Sequence, residues 1–202
     1  MLACLLGFLL VFSAPSAFAG GTGPSSGVLI YKVAPQSDAY YAVQAFHLFL
    51  PETVRGLHGA VSGEIRLAQG VSPTVSGALS ISAATLKSGN GSRDAQVLST
   101  LDAKAHPDIT FTITGVEPFS VAALDAGGVT VTAHGSLDVA GVSVPLSFPV
   151  LAWREGGKRL HLSGMAHTGF RDLKLKAPGV AVILPVMDPI SAGADIVADQ
   201  VR

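Results

Sequence analysis

Histidine is the residue type in this sequence best suited to metal binding, since six histidines stand beside a single cysteine. The six are His47, His58, His106, His134, His161 and His167. No two of them are spaced as H-x-H or H-x-x-x-H, the patterns that bring two imidazoles to one ion on a strand or a helix. The sequence therefore indicates no metal site and no cofactor, and we expect most of these histidines to be surface or hydrogen-bonded residues.

Residues arranged for catalysis are also sparse. No carboxylate and base stand at a spacing typical of a paired general acid and base. Cys4 is the only cysteine, and it lies in a segment that we expect to be removed, so the mature chain would have no disulfide, thiolate metal site or cysteine nucleophile. The sequence therefore predicts no catalytic residue.

Two residues are candidate polar partners for a ligand. His47 lies among Phe46 and Phe49, where a partly buried imidazole could donate a hydrogen bond to a ligand's polar head or to a backbone carbonyl. Arg93 offers a fork of donors that suits a pyrophosphate or quinone oxygen, whereas its pairing with Asp94 would only fix the start of a helix. Both alternatives are open for each residue.

Charge excludes one class of partner. Only 13% of residues are charged and the net charge is −1, so the chain lacks the basic surplus that nucleic-acid binding requires. Residues 154–176 have a local surplus, with six Lys or Arg residues against Glu155 and Asp172. Such a run is typical of a solvated loop face. The alternative is attraction to anionic lipid heads and transient contact with a membrane surface.

The elements that must position these residues are mostly strands. From residue 28 onward, hydrophobic alternation with a period of two indicates about eight or nine strands. They fall at 40–50, 61–67, 76–83, 109–114, 129–139, 142–150, 160–166 and 190–201. One segment differs, because Val97, Leu98 and Leu101 follow a helical spacing and predict a helix over 92–103. We expect the first amides of that helix, near Ser92, to be free for an anionic head.

Short links between the strands predict an all-β, antiparallel sheet, which most economically closes into a barrel because closure removes its edges. Small residues recur along the strands, and where they point inward they leave a cavity. They are Ala42, Ala45, Gly56, Gly59, Gly63, Ala78, Ala133 and Gly135. The alternative is that the glycines mark only bends and bulges. Four aromatic residues are candidates to line or close a cavity: Phe46, Phe49, Phe111 and Trp153.

The first 19 residues predict a signal peptide. They are uncharged, contain an apolar run of about a dozen residues that is short for a membrane span, and end on Ala17-Phe18-Ala19, a small-x-small cleavage pattern. We expect cleavage after Ala19, with an uncleaved anchor as the alternative. Residues 20–27 would then form a flexible tether and 28–202 the folded domain, in a protein that is periplasmic or secreted.

Four motifs occur in order along the chain. They are His47 with Val54-Arg55-Gly56, then Ser92-Arg93-Asp94 followed by His106-Pro107-Asp108-Ile109-Thr110-Phe111, then Gly135-Ser136-Leu137-Asp138-Val139-Ala140-Gly141-Val142, and finally Gly169-Phe170. Together they resemble the YceI-like lipid- or polyisoprenoid-binding proteins, over roughly residues 31–198. The resemblance implies a lipocalin-like, extended eight-stranded antiparallel β-barrel with a short α-helix near one opening. It also implies a tunnel for a long isoprenoid or other amphiphile, and usually a periplasmic location.

The leading hypothesis is an exported binding protein that sequesters or carries an isoprenoid or other amphiphilic lipid. Its candidate ligand-binding residues are Phe46, His47, Phe49, Arg93, Phe111 and Trp153. One alternative is an enzyme that carries out an isomerase- or hydrolase-type step on such a ligand. The other is a structural or stress protein of the cell envelope whose cavity is incidental. The sequence indicates no oligomeric state.

Overall fold

The computed structural model describes residues 27–47, 50–70, 72–177 and 186–201. Within them lie nine β-strands, two α-helices and one 3₁₀ turn. The strands are β1 (Val28–Val33), β2 (Asp38–His47), β3 (Leu50–Ala68), β4 (Thr74–Ser82), β5 (Asp108–Glu117), β6 (Val129–Val139), β7 (Val142–Glu155), β8 (Arg159–Gly169) and β9 (Val186–Gln200). The helices are α1 (Gly91–Thr100) and α2 (Val121–Asp125), and the 3₁₀ turn is Ala83–Thr85. The predicted signal peptide and all but the last residue of the predicted tether lie outside the described residues.

The strands close into a ring of eight positions, and every pairing is antiparallel. The order around the ring is β3, β2, β9, β8, β7, β6, β5 and β4, and β4 pairs with β3 to close it. The ninth strand shares a position, because β1 pairs with residues 64–68 of β3 and 198–200 of β9, beyond the stretches that pair with β2. The structure confirms the predicted eight-stranded antiparallel barrel.

Ser37 supplies hydrogen bonds to the backbone of β9 at Val197, between the stretch of β9 that pairs with β1 and the stretch that pairs with β2. Where the chain leaves the ladder, Ser37 Oγ donates to the Val197 carbonyl at 3.0 Å and accepts the Val197 N–H at 3.0 Å. The Ala34 N–H donates to the same carbonyl at 2.8 Å. Buried backbone groups need partners, so Ser37, which is 6% exposed, keeps β9 hydrogen-bonded at the point that neither strand covers.

Strand β7 illustrates how the sequence makes an inner and an outer face. Leu146, Phe148 and Val150 face the interior, and the residues between them are exposed. Two of the exposed residues are Pro145 and Pro149, which lie where β7 has no ladder with β8, since that pairing covers only residues 150–155 of β7. Proline lacks the N–H that an unpaired edge would offer to another strand, so both prolines are tolerated there and protect the edge.

Helix α2 closes one end of the barrel. Leu124 of α2 is 2% exposed and Tyr31 is fully buried. The Arg154 guanidinium donates to the two carboxylate oxygens of Asp125 at 2.7 and 2.5 Å, and to the Tyr31 hydroxyl at 3.1 Å. These bonds fasten α2 to the barrel wall. The sequence did not predict this helix, because five residues are too few to display a helical period.

The fold divides the basic run of residues 154–176 between the two ends of the barrel. Arg154 and Arg159 are paired with carboxylates near the closed end. Arg171, Lys174 and Lys176 are exposed near the open end. The run therefore does not form one continuous basic face, because strand β8 separates its two halves.

Helix α1 lies over the open end and confirms the predicted helix, with bounds of Gly91–Thr100 in place of 92–103. Asn90 caps it, since its Oδ1 accepts the N–H groups of Ser92 and Arg93, both at 3.1 Å. The prediction of free amides near Ser92 is wrong for Ser92 and Arg93, because the Asn90 side chain already accepts both N–H groups. No helix in the described ranges is long and apolar enough to span a membrane.

Candidate functional site

The barrel encloses two chambers that adjoin one another. The outer chamber, of about 300 Å³, lies beneath α1 and the turn that follows β8. The inner chamber, of about 170 Å³, extends to Leu124 of α2. Five residues line both chambers: Ile81, Ile109, Leu137, Ala192 and Gly193. The two spaces therefore meet at one level of the barrel and form a two-part tunnel.

The small residues noted in the sequence account for part of this space. Ala45 lines the outer chamber and Ala133 the inner one. Gly63 and Gly135 have another role, because a Cβ on either would collide with a carbonyl oxygen of the neighbouring strand. The cavity interpretation therefore holds for the two alanines, whereas the two glycines allow neighbouring strands to approach closely, a role that neither interpretation gave them. Further space comes from alanines that the sequence analysis did not select: Ala39, Ala152, Ala166, Ala192 and Ala194.

The wall of the inner chamber is apolar at every described lining residue. Phe111 and Phe148 pack there in a tilted arrangement, with ring centroids 5.2 Å apart, a geometry that is favourable for aromatic pairs. Phe119 and Leu124 also line this chamber. A polar group placed here would lose its hydration without gaining a side-chain partner. The inner chamber therefore suits only an apolar ligand group.

Among the described residues that line the two chambers, the charged ones are Arg93 and Glu52, and both line the outer chamber. Arg93 Nη2 lies 3.3 Å from Glu52 Oε1, which joins α1 to the start of β3. Both residues line the outer chamber, and their side chains are 33% and 48% exposed. An ion pair this exposed contributes little to stability, so either group can exchange its partner for a ligand's head at small cost.

Tyr41 and Asp94 add two further polar groups near this pair. Asp94 accepts hydrogen bonds from the Ser88 hydroxyl at 2.6 Å and the Ser88 N–H at 2.8 Å, and these bonds hold the pKa of Asp94 below its ordinary value. Burial raises the pKa of the Tyr41 phenol, and the negative charge of Asp94 raises it further. Tyr41 therefore keeps its proton at neutral pH and can donate a hydrogen bond. Its ring covers Gly56, where a Cβ would collide with it.

Two of the six predicted ligand-binding residues line the tunnel. Arg93 lies in the outer chamber and Phe111 in the inner one, so the structure places them at opposite parts of the same cavity. Contact between either residue and a ligand stays a prediction. His47 is the last residue of β2, but its side chain lies outside the described residues, as does Phe49.

Phe46 and Trp153 line neither chamber. The alternation of their strands explains this, because the preceding residues Ala45 and Ala152 are the ones that face the interior. Trp153 instead stacks on His161 of the neighbouring strand, with ring centroids 4.8 Å apart and planes 5° from parallel. Neither residue therefore lines a chamber, and contact of Phe46 or Trp153 with a ligand stays a prediction.

Four of the six histidines contact a polar side chain of a neighbouring segment. The pairs are His58 with Asp38 at 3.2 Å, His134 with Ser147 at 2.8 Å and with Glu117 at 3.1 Å, His161 with Glu155 at 3.2 Å, and His167 with Ser191 at 3.1 Å. In the part of the chain that the structure describes, no group of three or more His, Cys, Asp or Glu side chains could hold a metal ion.

Tyr41 and Glu52 line the outer chamber but were not among the candidate residues predicted from the sequence. A signal for Tyr41 was available, because it shares the period of two with Val43 and Ala45, which also line the outer chamber. Glu52 had no such signal, because its partner Arg93 lies 41 positions further along the chain. The pairing of β4 with β3 and the bridge between Leu57 and Lys87 bring α1 back beside the start of β3.

A family model described as the YceI-like domain matches residues 31–192. The chain belongs to the YceI-like family. This match confirms the resemblance that the four sequence motifs indicated, over nearly the same range.

Solved structures share the YceI-like barrel. BcnA from Burkholderia cenocepacia matches with a TM-score of 0.63 at 18% identity, over 80% of this chain and 96% of that one. A polyisoprenoid-binding domain from Saccharophagus degradans, implicated in plant cell wall breakdown, matches with a TM-score of 0.65 at 17% identity, over 85% and 99% of the two chains. A YceI protein from Campylobacter jejuni matches with a TM-score of 0.50 at 20% identity, over 63% and 73%. No curated protein matches the chain.

Proposed function

We propose that this YceI-like protein sequesters or carries a polyisoprenoid or a similar long amphiphile in its barrel. The observation that carries the proposal is the contrast between an apolar inner chamber and an outer chamber with polar groups. A long chain needs no directed contacts, because its burial is favourable by roughly 0.8 kcal/mol per methylene. A polar head must keep water or find partners, and Arg93 and Tyr41 supply donors. The Saccharophagus domain, described as polyisoprenoid-binding, supports this ligand class.

The same contrast favours a carrier over an enzyme. The described wall of the inner chamber offers no acid, base or nucleophile. In the outer chamber, Arg93 and Glu52 lie 3.3 Å apart and largely neutralise one another. We therefore expect the ligand to leave the barrel chemically unchanged.

We also propose that the protein is exported to the periplasm or secreted. The support is the uncharged apolar segment of residues 1–19 and its end at Ala17-Phe18-Ala19. Amino-terminal sequencing of the protein from fractionated cells tests this. We expect a chain that begins at Gly20 outside the cytoplasm, and a cytoplasmic chain with Met1 intact would contradict export.

Transient contact with a membrane surface is part of the proposal, as a route by which the ligand enters. Leu50 is 71% exposed at the start of β3, near the open end that also exposes Arg171, Lys174 and Lys176. Basic side chains attract anionic headgroups. We expect the protein to sediment with phosphatidylglycerol vesicles and not with phosphatidylcholine vesicles. Equal sedimentation with both would contradict this route.

Mass spectrometry of organic extracts tests the proposed ligand class. Protein purified from its native host is extracted, and the stripped protein is then titrated with solanesol, a long prenyl alcohol. We expect a prenyl chain in the extract and saturable binding of solanesol. A clean extract together with no binding of added solanesol would contradict the carrier function and favour a structural role for the barrel.

A further inference from the structure

The two chambers meet at a neck whose walls are unequal. The neck comprises the five residues that line both chambers. In the ring of eight positions, β5 lies directly opposite β9, and β4 and β6 flank β5. Three large side chains therefore occupy one wall, Ile81 on β4, Ile109 on β5 and Leu137 on β6. Facing them on β9 are only Ala192 and Gly193.

The neck is open because the residue opposite the three large side chains is small. Ala192 is only half-buried although it lies inside the barrel, so its methyl group faces open space instead of packed atoms. Gly193 does not control this opening in the same way. A Cβ there would collide with the ring of Tyr40, which pairs with it across the ladder.

We propose that this neck sets the length of the prenyl chain that the protein accepts, with Ala192 as the specificity-determining residue. The inference rests on the proposed carrier function. Helix α2 is fastened over the far end by Arg154 and Asp125, so a chain enters the inner chamber from the outer one. Since the inner chamber holds about 170 Å³ against 300 Å³, a chain stopped at the neck loses more than a third of the enclosed space.

The test compares a short prenyl alcohol, farnesol, with the long one, solanesol, in wild type and in Ala192→Leu. Each pair of methylenes kept out of the inner chamber weakens binding by roughly tenfold. We therefore expect the Kd of Ala192→Leu for solanesol to rise about a hundredfold or more, and its Kd for farnesol to change less than about threefold.

Two further variants separate the neck from a general loss of volume. Ala45→Leu adds the same atoms in the outer chamber alone, and it should weaken both alcohols. Adding Leu137→Ala to Ala192→Leu reopens the neck from the facing wall, and it should restore most of the affinity for solanesol. If Ala192→Leu does not fold, Ala192→Val replaces it in the same comparison, with a smaller selective loss expected.

The outcomes distinguish the neck from the carrier function. A selective loss of solanesol that Leu137→Ala reverses supports the neck. If a folded variant at position 192 binds both alcohols as well as wild type, or loses both equally, the neck is overturned and the carrier function stands. If the wild-type protein binds neither alcohol, the carrier function itself fails.

Discussion

Each end of the barrel is covered by a helix that an arginine joins to the wall. The two arginines differ in burial and in the number of hydrogen bonds they donate. At the closed end, the Arg154 side chain is 8% exposed and donates two hydrogen bonds to Asp125 and a third to Tyr31. At the open end, the Arg93 side chain is 33% exposed and makes a single contact with Glu52 at 3.3 Å.

The two ion pairs should differ in how much each contributes to holding its helix against the barrel wall. A buried guanidinium that loses its partner keeps an uncompensated charge, and breaking such a pair typically costs about 3–5 kcal/mol. An exposed pair returns to water, and its loss typically costs less than about 1 kcal/mol. We therefore expect α2 to be a fixed plug and α1, which has no buried residue, to be the cover that separates from the wall at the smaller cost.

The largest expected effect is on the plug. Arg154→Ala should lower the free energy of unfolding by about 2 kcal/mol, because it removes the donor of the buried Tyr31 hydroxyl and the charge-assisted bonds to Asp125, whose side chain is 46% exposed. Urea unfolding measures the change. The matched control is Arg159→Ala, which removes an arginine from a pair whose side chains are 47% and 48% exposed and should cost less than about 1 kcal/mol. Equal losses in the two variants would abolish the distinction between buried and exposed pairs.

A smaller effect is the dependence of the plug on pH. The hydrogen bonds from Arg154 hold the pKa of Asp125 below its ordinary value of 3.8. A carboxyl whose pKa falls on folding stabilises the protein above its unfolded pKa, and the stabilisation is lost as the pH falls through the folded value. The stability difference between wild type and Asp125→Asn should therefore be complete at neutral pH and shrink below about pH 4.

Urea unfolding at a series of pH values checks this dependence. A difference between wild type and Asp125→Asn that stays constant into strong acid would show that the Arg154 pair does not depend on the Asp125 charge. The pKa of the Asp94 carboxyl is also lowered, by its hydrogen bonds with Ser88, so Asp94→Asn should show a pH dependence of the same sign at the open end.

The two ends also differ in how far the sequence could predict them. The spacing of Val97 and Leu101 was enough to predict α1, because a ten-residue helix displays its period. Helix α2 and the partners of Arg154 could not be predicted, because Asp125 and Tyr31 lie 29 and 123 positions from it. The strands of the barrel could be predicted, because alternation with a period of two is visible in the sequence of each strand.

The ligand site was only partly predictable for a related reason. Phe111 and Phe46 look equally suitable as aromatic residues in alternating strands, and the sequence does not state which face of each strand is inside. Closure of the ring decides it, placing Phe111 in the inner chamber and leaving Phe46 outside the tunnel lining. The cap of α1 by Asn90 was a missed local signal, because Asn is a preferred residue at that position.

The smallest expected effects on stability occur at the open end, where binding should change instead. Glu52→Gln frees Arg93 from its partner, so geranylgeranyl pyrophosphate should bind roughly tenfold more tightly. Arg93→Gln should weaken the same ligand by a similar factor. Neither change should alter the binding of geranylgeraniol, which has no charge, or the free energy of unfolding by more than about 1 kcal/mol.

Dissociation constants for the two ligands in the three proteins measure this prediction. Shifts of the same sign in Glu52→Gln and Arg93→Gln would mean that the pair only holds α1 in place. Equal shifts for the charged and uncharged ligands would mean the same.

If the protein is a carrier, an apolar chain occupies both chambers of the barrel, and methyl NMR can detect it there. Protein with labelled Ile, Leu and Val methyl groups is loaded with solanesol, and nuclear Overhauser contacts to the prenyl chain are recorded. We expect contacts to Val97 in the outer chamber and to Ile113 and Leu146 in the inner one. Contacts confined to Leu151, which is exposed on the outer face, with none to the chamber residues, would contradict the account.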